Sequence, residues 1–271
     1  MKIIVITGAS DGIGAEMARQ LASRHGAQAG LVLVARDKAK LAHVASQCSA
    51  WGGARTLVVP TDVSLEAACR AMIATAVATF GQIDALINNA GMSAQALFGD
   101  VKADDLGWYE QLMRVNLWGS VWCTHAALPY LKQTRGNIVA VSSLAGLFGV
   151  PGRTAYSASK FAMTGFFEAL RAELKTAGVS VTTAYPGVVA TQIRHHGLNA
   201  AGKAAGSSGL KEDNAMSVEE CARLILQGMD QRQRDVVMTA KGKLGRWLKL
   251  IAPARVEAMA LAALKDEVKP S

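Results

Sequence analysis

Thr7-Gly8-Ala9-Ser10-Asp11-Gly12-Ile13-Gly14 is the stretch on which the reading of the fold turns. It follows the apolar run Ile3-Ile4-Val5-Ile6 and leads at once into a helical pattern. Glycines let the backbone turn tightly and let another group approach it closely. A helix starting here offers free N–H groups and a partial positive charge beyond the strand end. Both properties suit a pyrophosphate. A Gly-rich turn can also be merely tight, but its place in the first strand–helix unit favours nucleotide binding.

Working outward, short Val/Ile/Leu-rich runs recur near 2–6, 31–35, 56–59, 84–87, 137–141, 180–184 and 235–238. The first six do not alternate in polarity, as expected of strands covered on both faces. Amphipathic helical patterns lie between them, at 13–24, 38–50, 65–79, 102–132, 154–176 and 218–231. Strands alternating with helices predict an α/β, doubly wound parallel sheet of seven strands with helices on both faces, Rossmann-like in kind. No internal repeat or linker interrupts it. The expected division is one domain over 1–240 and a basic, partly amphipathic appendage over 241–271. The stretch 197–209, rich in Gly, Ala and Ser, reads as a mobile loop.

The chain's 271 residues suit one large domain with a buried core. Apolar residues make up 51% and charged residues 18%, which excludes a disordered chain. Aromatics at 6% argue against a base-stacking nucleic-acid binder. No apolar run reaches the length of a bilayer span. The N-terminus is too short before its first strand for a signal peptide. Cys48, Cys69, Cys123 and Cys221 stand far apart, so they read as reduced core thiols and suggest a cytoplasmic setting. No metal-ligand cluster stands out, and the His195-His196 pair reads as surface.

The net charge is +8. Lys241, Lys243, Arg246, Lys249 and Arg255 contribute to it with no acidic residue among them. Interleaved with Trp247 and Leu248, they suit either peripheral membrane contact or a segment packed on the subunit.

Further residues carry chemistry. The second strand ends Val34-Ala35-Arg36-Asp37. Dinucleotide folds often place a carboxylate at this end to hold the ribose hydroxyls. Here Arg36 offers a fork suited to a phosphate dianion, with Ser10 placed to assist. Asp37 and Asp11 are cautions against that reading. Tyr156 and Lys160 stand four apart on a predicted helix and so share a face. Ser143 ends the fifth strand, and Asn116 sits inside a long helix, where Asn is a poor helix former.

This set resembles the short-chain dehydrogenase/reductase family. There T-G-x3-G-x-G opens the chain, and Asn, Ser, Tyr and Lys in this order form the catalytic tetrad. The resemblance spans residues 3 to about 238. It implies an NADP(H)-dependent enzyme interconverting a carbonyl and an alcohol, with Asn116, Ser143, Tyr156 and Lys160 as tetrad. It implies cofactor contacts from Gly8, Ser10, Gly12, Ile13, Gly14 and Arg36 in the first two units. Asp62, next to Val63, would hold the adenine amino group, although it could equally cap the following helix, a role Ser64 also fits. Asn89, Ala90 and Gly91 would shape the adenosine side. Pro186, Gly187, Val189 and Thr191 would carry the nicotinamide. Asn116 would anchor a water on a proton path from Lys160, which in turn would grip the nicotinamide ribose. Homodimers or homotetramers are common in the family.

The residue types suit the reaction. A free tyrosine holds its proton up to a pKa of about 10. A nearby ammonium such as Lys160 and the oxidised nicotinamide favour the phenolate, so Tyr156 can act as acid or base. Ser143 can donate to the carbonyl oxygen. Leu144, Ala145, Leu147, Phe148, Met92, Val188 and Val189 would line the substrate end, and their apolar character points to a small lipophilic carbonyl or alcohol. Two alternatives stand beside this: reduction of 3-oxoacyl thioesters on a carrier protein, and a non-catalytic nucleotide sensor.

Overall fold

The apolar runs form seven strands: β1 (Lys2–Thr7), β2 (Ala29–Ala35), β3 (Arg55–Pro60), β4 (Ala85–Asn88), β5 (Asn137–Val141), β6 (Ser180–Tyr185) and β7 (Asp235–Val237). A computed structural model, describing residues 1–210, 213 and 215–264, pairs them all in parallel. Their order is β3-β2-β1-β4-β5-β6-β7. The predicted doubly wound sheet is therefore the observed one.

Alternation along each strand divides the core into two layers. Ile4, Ile6, Leu31, Leu33 and Val139 pack with α1 (Gly12–His25), α2 (Lys38–Gly52) and α7 (Val218–Asp230). Ile3, Val5, Val32, Val34 and Ile138 pack with α3 (Glu66–Phe80), α5 (Gly119–Thr134) and α6 (Thr154–Glu173). One strand departs from expectation. β3 lies at the edge, pairs only with β2, and is half-buried. Its run lacks polar alternation although its residues are only partly covered. All four cysteines are buried and unbridged. Burial pushes the Cys48 thiol up to about 11 and that of Cys221 up to about 12.

The single helix predicted over 102–132 is broken. A short 3-10 turn at Ala103–Asp105 leads to α4 (Gly107–Met113), then a π turn at Arg114–Trp118, then α5. The π turn contains Asn116, and such wide turns often mark functional sites.

After β7 come α8 (Ala240–Ile251) and α9 (Pro253–Ala262), while 265–271 of the appendage lie outside the described residues. α8 packs on its own subunit. Arg246 pairs with Asp235 at 2.9 Å, and Lys249 donates to the Leu147 carbonyl at 3.0 Å. Gly242 and Gly245 let α8 lie against Leu144 and Phe148, where added Cβ atoms would stand 2.5 and 3.2 Å from those side chains. The far side leaves Leu244, Trp247, Leu250 and Ile251 exposed. No helix among the described residues is long and apolar enough to cross a membrane.

The stretch 197–209 is tied down more than its composition suggests. Leu198 exchanges backbone bonds with Ser93 and Gln95, and the Asn199 side chain accepts from Ala201 and Lys203. Trp108 donates its indole N–H to the Ala200 carbonyl.

Two neighbouring glycines give a test of the packing. Gly53 is left-handed with open space around it, so Gly53→Ala should cost about 1–2 kcal/mol. A Cβ on Gly52 would stand 2.3 Å from the Ala22 carbonyl oxygen, which is backbone and cannot rotate aside. Gly52→Ala should therefore lower the urea midpoint more than Gly53→Ala.

Candidate active site

The sheet order reverses between β1 and β4, and ligands of open α/β sheets bind at the carboxyl ends of strands flanking such a reversal. The crevice here is built to close tolerance. The Thr7 hydroxyl accepts from the backbone N–H groups of Asn89 and Ala90, both at 3.0 Å. The Asn89 side chain donates to the carbonyls of Thr7 and Gly8. A Cβ on Gly14 would stand 2.1 Å from the Gly8 oxygen. Gly8 takes φ +68°, and a Cβ there would stand 2.8 Å from Asn89 Nδ2. This contact seats the amino end of α1 directly under the β1–β4 crevice. Ser10 and Ile13 flank the turn and are half-buried.

Gly12 brings a second segment in. A Cβ on it would stand 3.3 Å from Thr191 Cγ2. The Pro186–Thr191 segment thus closes over the start of α1. It is held in place by Leu144 donating to the Pro186 carbonyl and by Val189 pairing with Met216. Gly187 is close-packed against Thr239. At the other end, Arg36 is exposed and makes no hydrogen bond or ion pair with a described residue. Asp37 is occupied elsewhere, since its carboxylate caps α2 by accepting from Lys40 at 3.0 Å. Asp11 likewise caps α1, accepting from Gly12 at 2.7 Å. Asp62 accepts from Ser64, and Val63 beside it is buried. Neither Asp62 nor Ser64 caps α3, because the cap position falls on Leu65.

The four tetrad candidates meet where β5, α6 and the π turn converge. Lys160 is 4% exposed. Its Nζ donates to the Val141 carbonyl at 2.9 Å, touches Met163 Sδ at 3.8 Å, and lies 5.8 Å from the Tyr156 ring centroid. Burial lowers its pKa from the ordinary lysine value, with Tyr156 acting in the opposite sense. Gly91 leaves the space above, as a Cβ there would stand 3.7 Å from Nζ and 3.2 Å from Asn116 Oδ1. Asn116 is fully buried, and its side chain holds Met92 at both backbone groups and donates to the Ser159 hydroxyl. Its backbone carbonyl accepts from Ser120. The Ser143 hydroxyl accepts from Ala145 at 3.2 Å, and its own proton has no acceptor among the described residues. Tyr156 is 8% exposed, and its hydroxyl makes no hydrogen bond with a described residue.

The wall around Tyr156 is apolar. Ala94, Trp108, Leu112 and Ala145 form one buried cluster with it, and Met92 packs against that cluster. One cation in this wall was not anticipated. Arg153 is buried, with its guanidinium carbon 4.4 Å from the Tyr156 ring centroid. Its place one helical turn before Tyr156 was the available signal.

These residues fit a dinucleotide. The glycines keep a cradle that any Cβ would fill, α1 points N–H groups into it, and Lys160 retains donors beyond its one carbonyl partner. Fold and crevice together define a class, the doubly wound dinucleotide-binding proteins.

Comparison with known proteins narrows this. The family description "short chain dehydrogenase" matches residues 2–201. The 11-beta-hydroxysteroid dehydrogenase-like 4A of Arabidopsis thaliana is 36% identical, covering 93% of this chain and 81% of its own. The dehydrogenase/reductase SDR family protein 7-like of Dictyostelium discoideum is 34% identical, covering 99% and 83%. A Burkholderia phymatum short chain dehydrogenase/reductase, solved in complex with NAD, superposes with TM-score 0.80 at 25% identity over 94% of both chains. The fold also matches that of an alcohol dehydrogenase from Thermococcus sibiricus, solved with 5-hydroxy-NADP, at TM-score 0.74 and 23% identity over 88% of this chain and 96% of that one. The chain belongs to the short chain dehydrogenase family.

The buried ammonium yields a stability test. Because burial lowers the pKa of Lys160, the unfolded chain binds its proton more tightly. Folding is then penalised below the folded-state value, and the penalty fades as pH rises toward 10.5. Relative to Lys160→Met, the wild type should gain stability as pH rises through that window, measured by urea unfolding at several pH values.

Proposed function

We propose that this protein is an NADP(H)-dependent oxidoreductase that interconverts a ketone or aldehyde with an alcohol on a lipophilic substrate, with Tyr156 as acid and base. One observation carries the reading: a phenol without a hydrogen-bond partner among the described residues lies beside a buried ammonium, in an apolar wall at the sheet's crevice. When bound, the nicotinamide supplies or accepts the hydride.

The chain's own residues do the rest. Ser143 has a proton to spare and donates it in a hydrogen bond to the substrate oxygen. Tyr156 passes its proton to that oxygen in reduction and takes it back in oxidation. Lys160, held in low dielectric, stabilises negative charge on the phenol oxygen and offers its remaining donors to the ribose. Asn116 keeps Met92 and Ser159 in register beneath them and anchors the proton path from Lys160. Pro186, Gly187, Val189 and Thr191 seat the carboxamide end. Asp62 and Val63, with Asn89 to Gly91, seat the adenosine.

Preference for a 2′-phosphate rests on Arg36, whose guanidinium is unengaged among the described residues while the Asp37 carboxylate is committed to α2. The lipophilic substrate rests on the cluster around Tyr156, and the hydroxysteroid dehydrogenase names of relatives support it. α8 walls that end through Leu144 and Phe148. A groove lined by Tyr109, Met113, Trp118 and Trp122 between the α4–α5 pair and α6 supports assembly into a homodimer or homotetramer through this face. Four unbridged cysteines support a cytoplasmic setting.

Two substitutions test the reading. Tyr156→Phe should lower NADPH-linked reduction, across a panel of steroid and medium-chain ketones, by at least ~100-fold while leaving NADPH affinity nearly intact. Persistent turnover would remove the assigned role. Arg36→Ala should weaken NADPH binding by about 10- to 100-fold, as expected for lost charge-assisted hydrogen bonds to phosphate, and NADH binding far less. Fluorescence titration with both cofactors reads the difference.

A further inference from the structure

Arg153 is a buried cation with no counter-ion among the described residues. It is 8% exposed at the cap of α6. Its Nε donates to the Ala94 carbonyl at 3.3 Å, and Nη2 donates to the Ser93 hydroxyl. It forms no ion pair with any described residue. Burial lowers its pKa, Arg194 pushes the same way as a like charge, and Tyr156 opposes both. Arginine stays protonated in proteins, so it cannot escape this cost by neutralising itself. A buried charge is normally paired, because an unpaired one is strongly destabilising. Among the described residues, the neighbour able to take up negative charge here is the phenol of Tyr156, whose ring lies under the guanidinium at 4.4 Å.

The placement also constrains motion. Ser93 and Ala94 follow directly on the Asn89–Met92 turn, and Ala96 pairs with Arg153 through the backbone. The guanidinium therefore joins three things: the tyrosine ring, the start of its helix, and the segment leading away from the crevice. An arginine plane can stack on an aromatic face and fork to two acceptors together, which lysine cannot do.

We propose that Arg153 is a positioning residue for Tyr156, clamping its ring against the 93–94 segment and holding a fixed positive charge over it, so that negative charge on the phenol oxygen is favoured in turnover. This deepens the reading of Tyr156 as acid and base and rests on it. Lys160 faces the ring from the same helix and Arg153 from its cap, and Arg194 is a like charge near Arg153. From α4, Tyr109 shares a hydrogen bond with Thr154 beside them.

The first readout needs no substrate. The chain has four tyrosines, and the ultraviolet difference between a protein and its Tyr156→Phe counterpart isolates one phenolate. An opposite charge at this range shifts such a titration by one or more pH units. Arg153→Met should move the isolated phenolate transition upward by at least about one pH unit. Arg153→Lys, which keeps charge but not the fork, should move it by less than half as much. In alcohol oxidation at pH 7 with the best substrate of a steroid and medium-chain panel, Arg153→Met should lower kcat about 10-fold or more, with NADP(H) affinity within about twofold of wild type. If Arg153→Met leaves the phenolate transition unmoved, or moves it only as far as Arg153→Lys does, the proposal is wrong. If Arg153→Met does not fold, Arg153→Lys decides alone: kcat must fall while the transition moves by under half a unit, and any other result overturns the claim. Failure of the underlying reading looks different, since Tyr156→Phe would then retain turnover whatever Arg153 does.

Discussion

An ammonium kept out of water governs the carboxyl half of the sheet. Lys160 has one carbonyl, that of Val141, and a thioether for company. Removing such a charge from water is expensive unless the surroundings repay it. Several features follow. β5 must end where the Val141 oxygen is free to accept. α6 must lie flat on β5 so that Nζ reaches it. Glycine at 91 spares the Asn116 amide, since a Cβ would press on its Oδ1 at 3.2 Å while standing at ordinary contact distance, 3.7 Å, from Nζ. The Ser142 hydroxyl, donating to the Lys160 carbonyl, pins the helix to the strand at the same level.

The amino half obeys a different constraint, that of close approach. Gly8, Gly14 and Asn89 leave no room for a single carbon where β1, β4 and α1 meet. Such interlocking resists change of any one side chain, and it fixes the helix terminus against the crevice. The two halves meet where glycines leave room: a Cβ on Gly12 would stand 3.3 Å from Thr191 Cγ2, and one on Gly91 3.7 Å from Lys160 Nζ. A cradle for phosphates and a pocket for a buried cation thereby share one groove.

Much of this was legible in the sequence, and the exceptions are instructive. Strand positions emerged because parallel strands buried on two faces have little choice of residue, as in Ile3-Ile4-Val5-Ile6. β3 shows where that logic slips: its run Thr56-Leu57-Val58-Val59 looks like the others, yet one side of it has no partner strand. Edge position is a property of topology, which no local run records. The arginines differ in the same way. Arg36 is legible because it follows a strand end in a known unit, while no such local context marks Arg153. Its guanidinium is buried because Ser93, Ala94 and Tyr156, distant in sequence or one turn away, supply a hydroxyl, a carbonyl and a ring face.

Asn116 shows how site and fold trade against each other. Inside a helix, asparagine is disfavoured because its amide competes with the backbone. Here the competition is resolved in the amide's favour. It takes over Met92's N–H and carbonyl and the Ser159 hydroxyl, and the helix gives way to a π turn at that level. An aliphatic residue at 116 would suit the helix better, but it would strand the N–H and carbonyl of Met92, each at a cost of roughly 1–3 kcal/mol, and leave the Ser159 hydroxyl only its bond to the Tyr156 carbonyl. The local defect is therefore the less costly arrangement once the segment leading from Gly91 has to pass beside Lys160. The irregularity of the helix and the reach of the ammonium are two consequences of one packing problem.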